Sequence, residues 1–175
     1  MKTEIVFAGF GGQGILLMGK IVAQAAVEAG LETTYLPTYG PEMRGGTANS
    51  VVIIADVPIA SPLVCAIDVL VAMNQPSLDK FGPAVRDGGL IVFDATLATP
   101  ANDMARVRLV GAPFTRIAGE LGNVRVCSMA ALGRFVRETK LVTLDAVTRQ
   151  MKTTTAARPE LAALNEKALA AGYGA

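Results

Sequence analysis

Residues 4–30, EIVFAGFGGQGILLMGKIVAQAAVEAG, decide the fold. Ile5-Val6-Phe7-Ala8 is an apolar run too short for a helix, and it stops at Gly9-Phe10-Gly11-Gly12-Gln13-Gly14. Past the glycines the period changes. Ile15, Leu16, Met18, Ile21, Val22, Ala25, Ala26 and Ala29 recur at helical spacing, and Gly30 stands where a C-terminal cap belongs. The pattern is strand, glycine turn, helix, the opening half of a βαβ unit. Such a turn directs free backbone N–H groups and the positive end of a helix at one point, which suits an anion.

The 175 residues fit one unit, 1–175, with a sheet core over 1–112 and a mainly helical part over 113–175. Half the residues (51%) are hydrophobic, 18% are charged and the mean hydropathy is +0.43. The richest apolar segment, Pro62 to Met73, is short and carries Asp68, so no membrane span is expected. A sheet buried on both faces explains the hydropathy, and so does an apolar surface that meets a partner. Net charge is +1 with no basic run, which excludes the footprint of a nucleic-acid binder. No signal peptide precedes the first strand, and a cytoplasmic location is expected. Cys65 and Cys127, far apart among apolar neighbours, read as reduced core thiols that cannot hold a metal or cluster alone. There is no histidine, which removes the commonest general base and metal ligand.

Leu31 to Leu36 is expected as a second strand, Pro37 to Gly46 as a loop, and Ala48 to Ala55 as a third strand. Ala66 to Met73 reads as a buried central strand. A helix capped by Ser77 runs to about Arg86, and a turn at Asp87-Gly88-Gly89 leads into a strand at Leu90 to Asp94. Val107 to Val110 reads as the last strand, followed by helices over Pro113–Leu121, Val124–Glu138, Thr143–Met151 and Pro159–Ala171, with a linker at Lys152–Arg158. The last helix has little to bury alone and is expected to pack on a neighbouring protein. The fold class is α/β: a Rossmann-like three-layer α/β/α arrangement with a mostly parallel sheet and a helical C-terminal extension.

Gly9, Gly11 and Gly14 satisfy G-x-G-x-x-G in the right context, with Gly12 and Gln13 between them. A dinucleotide site also wants an acidic residue at the end of the second strand. Here that strand ends Tyr35-Leu36-Pro37-Thr38, with no carboxylate. Dinucleotide binding, another anion at the turn, and glycines needed only for tight packing all stay open. Tyr39-Gly40-Pro41-Glu42-Met43-Arg44-Gly45-Gly46 is the less common signal. The planar fork of Arg44, between small residues and next to Glu42, suits a carboxylate or phosphate, and the alternative is a solvated surface pair of little consequence. Asn74, Gln75, Asp94 and Thr96 fall at strand ends on the same edge and read as caps or turn formers. No pair of carboxylates poised for acid–base work can be identified, and the catalytic residues stay unknown.

GFGGQG at the first helix, YGPEMRGGTANS before a strand, and Pro58-Ile59-Ala60-Ser61-Pro62 resemble the gamma subunit of 2-oxoacid:ferredoxin oxidoreductases. They are most similar to the short subunit of the 2-oxoglutarate enzymes. The likeness extends through Cys127-Ser128-Met129-Ala130-Ala131-Leu132-Gly133 and Leu164-Asn165-Glu166-Lys167-Ala168-Leu169 to Tyr173. The resemblance implies a complex that converts a 2-oxoacid and coenzyme A to acyl-CoA and CO2, with thiamine diphosphate, magnesium, 4Fe-4S clusters and ferredoxin as acceptor. It implies that thiamine-binding, large and ferredoxin-like chains are partners and hold those groups, since this chain has neither a C-x-x-C-x-x-C run nor a GDG…N pattern. The glycine turn, Tyr39, Glu42, Arg44, Gly45 and Gly46 would then line a shared cleft for coenzyme A phosphates or substrate carboxylates. The isolated chain is expected to be inactive and to be able to form a homodimer through its apolar face. An autonomous dinucleotide-binding oxidoreductase and a pure scaffold are the alternatives.

Overall fold

The computed structural model describes residues 1–38, 47–101, 104–156 and 158–175. Its elements are β1 (Lys2–Phe10), α1 (Ile15–Glu28), β2 (Glu32–Thr38), β3 (Thr47–Ala55), β4 (Ile67–Ala72), α2 (Gln75–Phe81), β5 (Val85–Asp94) and β6 (Arg108–Ala112), then α3 (Phe114–Glu120), α4 (Cys127–Thr139), α5 (Leu144–Thr154) and α6 (Pro159–Gly174). The strands form one sheet in the order β2-β3-β1-β4-β5-β6. β1, β4, β5 and β6 pair in parallel, while β3 is antiparallel to both β1 and β2. β2 therefore runs with β1 but lies beyond β3.

β1 is buried on both faces, as its unbroken apolar run requires. Ile5 and Phe7 point to one side with Val52, Val69, Val71 and Val92, and there α1, α3, α4, α5 and α6 cover them. Val6 and Ala8 point to the other with Leu70, Ala72, Ile91 and Phe93, under Leu78 of α2 and the side chains of loops. The three layers are thus unequal. One is five helices thick, the other a seven-residue helix with irregular chain.

Local chemistry fixes most boundaries. Gly30, at φ +78°, ends α1: its N–H donates to Val27 O (2.9 Å), and the Leu31 N–H donates to Ala26 O (3.0 Å). α2 is capped by Asn74, not Ser77. The Asn74 side chain accepts from the Ser77 N–H at 2.9 Å, and the helix stops at Phe81, after which Gly82–Ala84 form a single 3-10 turn. Pro83 cannot continue the hydrogen-bond ladder, so β5 begins at Val85 rather than after Gly89. α5 reaches Thr154, taking up the first three residues of the expected linker.

The last helix departs most from expectation. α6 packs on α4 of its own chain, with Ala168 and Leu169 buried. A methyl group on Gly133 of α4 would collide with Leu169 O, and one on Gly172 of α6 would collide with Ala130 O. The two glycines bring the helix backbones together, so the alanine-rich sequence buries its surface by close approach instead of by large side chains.

Glu4 holds the opposite end of the sheet. Its carboxylate pairs with Lys2 Nζ at 2.6 Å and accepts from the amides of Cys65 (2.8 Å) and Ala66 (3.2 Å). Burial pushes its pKa up, but the Lys2 hydrogen bond and the two amides outweigh this and hold it below the ordinary value of 4.5. A depressed carboxylate pKa gives stability that is present above that value and lost as pH falls through the folded-state value. Glu4→Gln is therefore expected to flatten the fall in stability below about pH 5, read from urea midpoints against pH. Gly172→Ala is expected to cost about 3 kcal/mol by forcing α6 off α4, measured as the midpoint shift and as faster amide exchange confined to α6.

Candidate functional site

The glycine turn joins the carboxyl end of β1 to the start of α1, beside the ends of β4 and β5, where open α/β sheets bind ligands. Gly12 and Gly14 adopt φ +90° and +76°, conformations that need glycine, and a side chain on Gly14 would also strike Ser128 Oγ. Gly9 lies within β1, opposite Ala48. The side chain of Gln13 is committed to the framework. Its Oε1 accepts from Phe10 N–H (2.7 Å) and Asn74 Nδ2 (3.0 Å), and its Nε2 donates to Met73 O (3.2 Å). Tyr39, Glu42, Arg44, Gly45 and Gly46 lie outside the described residues. Their flanking anchors, Thr38 and Thr47, are at this same edge, with Thr47 paired to Phe10.

Two cavities meet at the turn. One, about 310 Å³, lies toward β3 and is lined by Phe10, Gly11, Leu16 and Ala48. The other, about 400 Å³, lies toward the C-terminal helices. Gly12, Gly14 and Leu17 form one wall, Arg125, Val126 and Ser128 the second, and Thr154, Thr155, Arg158, Leu161 and Asn165 the third. Sequence reasoning missed Arg125, Ser128, Arg158 and Asn165. They are distant in the chain and converge only because α4 and α6 pack together beside α1.

Three features of the larger cleft favour negative charge. No Asp or Glu lines it. Arg125 and Arg158 have no ion pair or hydrogen-bonded carbonyl among the described residues, whereas every other described arginine has one. Helices α1 and α6, whose first turns contribute to the walls, lack a side-chain cap, while α4 continues a 3-10 turn, Val124–Val126, whose start Asn123 caps by accepting from the Arg125 N–H. By contrast Asn74 caps α2, Thr143 caps α5, and Asp94 accepts from the Thr115 N–H at the start of α3.

The other polar groups at this edge are structural. Asp94 is fully buried and accepts from the amides of Thr96 and Thr115, both at 3.0 Å, and from Thr115 Oγ1 at 2.5 Å. Asn74 is a cap, as its position at a strand end suggests. Among the described residues no group of three His, Cys, Asp or Glu side chains could hold a metal ion. The described donor set therefore offers no cluster or magnesium site. No described helix is long and apolar enough to cross a membrane.

The β2 end also bears on dinucleotides. With β3 inserted, it lies two strand spacings, about 10 Å, from β1. A ribose at the glycine turn would be out of its reach.

The fold and turn place the molecule among open-sheet α/β proteins with a glycine-rich helix start. A family model described as pyruvate ferredoxin/flavodoxin oxidoreductase matches residues 4–175, and the chain belongs to that family. Its relatives are gamma-type subunits or longer chains that contain the equivalent region. The 2-oxoglutarate synthase subunit KorC of Methanocaldococcus jannaschii is 37% identical over 150 residues, covering 84% of this chain and 80% of that one. The ketoisovalerate oxidoreductase subunit VorA of Methanothermobacter thermautotrophicus is 46% identical over 132 residues, 75% of this chain, and the match spans only 27% of its length. The gamma subunit of a keto/oxoacid ferredoxin oxidoreductase from Geobacter sulfurreducens PCA superposes with a TM-score of 0.88 at 30% identity, covering 99% of this chain and 95% of that one. A 2-oxoglutarate:ferredoxin oxidoreductase from Magnetococcus marinus shares the fold at TM-score 0.90 and 23% identity, over 30% of its chain.

The cysteines differ from expectation in one respect. Cys127 is buried, and desolvation, with the Asp94 charge second, pushes its thiol up to about 11. Cys65 is exposed and is not a core thiol, because it sits in irregular chain before β4 where Glu4 binds its amide. A thiol reagent at pH 8 is expected to modify Cys65 alone in the native protein, with Cys127 reacting only on unfolding, as read by mass spectrometry.

Proposed function

We propose that this chain is the gamma-type subunit of a 2-oxoacid:ferredoxin oxidoreductase. It braces the catalytic subunits and offers the positive start of α1 as an anion receptor at their shared cleft. The overall reaction joins a 2-oxoacid and coenzyme A into acyl-CoA and CO2 and passes two electrons to ferredoxin. The observation that carries this reading is the uncapped, acid-free α1 terminus in a chain whose described residues have no metal cluster and no histidine. Thiamine diphosphate, magnesium and the 4Fe-4S clusters then belong to the thiamine-binding, large and ferredoxin-like partners, in the cytoplasm. The anion is assigned to coenzyme A phosphates or a substrate carboxylate. The loop carrying Tyr39, Glu42, Arg44, Gly45 and Gly46 completes the receptor, because its anchors flank the turn.

The proposed substrate is 2-oxoglutarate, on the near full-length likeness to KorC. Ketoisovalerate is the second reading, on the higher identity to VorA. The position of the β2 end argues against an autonomous dinucleotide enzyme.

The test is reconstitution with the partner subunits and coenzyme-A-dependent ferredoxin reduction on each 2-oxoacid. The lone chain is expected to show no turnover, the complex to prefer 2-oxoglutarate, and Arg44→Ala to lower kcat/KM for coenzyme A at least tenfold, the loss of one charge-assisted contact. Nicotinamide reduction by the lone chain, or full activity of partners without it, would refute the reading. Unchanged turnover and assembly in Arg44→Ala would remove that loop from the site.

A further inference from the structure

We infer that the α2 side of the sheet, around residues 57–66 and Leu36, is the docking face for a larger subunit of the complex. That subunit is the polypeptide corresponding to the remainder of the long relatives. The inference rests on the subunit reading and deepens it by naming the face that is covered and the kind of surface that covers it.

The two sides of the sheet are finished to different degrees. Helices α1, α3, α4, α5 and α6 cover one side. Among the described residues only α2 lies on the other, and it packs on β1 and β4. An open α/β sheet that is apolar on both faces needs cover on both. Leu36 of β2 pairs with Val51 of β3, so both point to the α2 side, toward the sheet edge beyond α2. There Leu36 is 41% exposed and Val51 is only partly buried.

The segment between β3 and β4 that lines this side is irregular and apolar. Residues 57–66, VPIASPLVCA, contain no charged residue and form neither helix nor strand. Val64 packs against the core on the α2 side, and Glu4 accepts from the amides of Cys65 and Ala66, so the end of the segment is fixed to the sheet. Its outer surface is left open. Val57 is 57% exposed, Leu63 65%, and Cys65 is exposed too. Pro58 and Pro62 restrict the backbone, which lowers the cost of ordering it on association. Leu109, level with Ile91, and Leu97, next to the buried Ala98, add exposed side chains on the same side. A single exposed leucine is ordinary on a protein surface. Five large aliphatic side chains on the thinly covered side mark a contact surface.

Two observations identify the occupant. The 57–66 segment is uncharged, so the partner presents an apolar face to it and not an ionic one. The match to this chain spans only 27% of VorA and 30% of the Magnetococcus chain, so the equivalent unit is covalently joined there to a much longer polypeptide. In KorC the unit is a separate chain. A unit that is fused in some relatives and separate in another keeps its place without the link through noncovalent contact, and burial of an apolar face supplies it. A second copy of this chain would not account for the fusion.

The full-length chain is mixed with the large subunit of its own complex. Association is followed by sedimentation velocity and by alkylation of Cys65, read by mass spectrometry. Cys65 is expected to react at least tenfold more slowly in the complex than in the lone chain. Leu63→Asp and Leu36→Asp should keep native circular dichroism and each weaken association at least tenfold, by forcing an unpaired charge into an apolar contact. Val27→Asp, near the end of α1 on the five-helix side, should leave association unchanged. Raising salt from about 50 to about 500 mM should change the affinity less than about threefold. A complex that assembles and turns over while Cys65 stays fully reactive, or in which both aspartate variants assemble normally, overturns this docking face and leaves the subunit reading standing. Failure of the chain to join any such complex removes the subunit reading, and this face with it. A lone chain that dimerises with Cys65 protected gives the face to a second copy and overturns the inference.

Discussion

One carboxamide fixes the glycine turn. Gln13 closes three hydrogen bonds, to the Phe10 amide, the Asn74 side chain and the Met73 carbonyl, and so ties the end of β1 to the end of β4 and to the cap of α2. At about 1 kcal/mol net each, these bonds are modest in energy, but they act at the one place where the backbone has least conformational restraint of its own. Gly12 and Gly14 could otherwise explore both signs of φ. With Gln13 anchored, the start of α1 has a fixed direction, and the cost of ordering it is met on folding rather than on binding.

That direction has consequences for the helices that arrive last in the chain. The small volume at Gly14 admits Ser128 and sets how near α4 comes to α1. Gly133 and Gly172 then set how near α6 comes to α4. A helix start carries roughly half a unit of positive charge, and two uncapped starts border one cleft beside two arginines that have no ion pair among the described residues. The molecule as a whole has a net charge of only +1. The positive field is therefore a local product of packing and not of composition.

This explains what could be read from the sequence and what could not. The strand, turn and helix at residues 2–28 were legible because glycine spacing and a change of period are local signals. The burial of both sheet faces was legible for the same reason, and it accounts for part of the high hydropathy. The direction of β3 was not legible, since an apolar strand reads alike in either sense, and only the register Phe10 to Thr47 reveals it. The cap at Asn74 was hidden because Ser77 is an equally good capping type three residues on. The seat of α6 was misjudged because large side chains were taken as the measure of burial, while Gly133 and Gly172 work by removing them. Arg125 and Arg158 looked like ordinary surface charges. Their meaning lies in lacking partners, which is a property of three-dimensional neighbours.

The same geometry separates binding from chemistry. Around the larger cleft the lining groups are glycine, aliphatic, hydroxyl, carboxamide and guanidinium, none of which exchanges a proton near neutral pH. Two other groups at this edge are held in the framework. Asp94 is sealed among three hydrogen bonds, and the Cys127 thiol is held protonated by burial and by that same carboxylate. The described lining of this cleft can select and orient negative charge. A preformed lining without carboxylates accords with the proposed role of this chain as an anion receptor within an assembly.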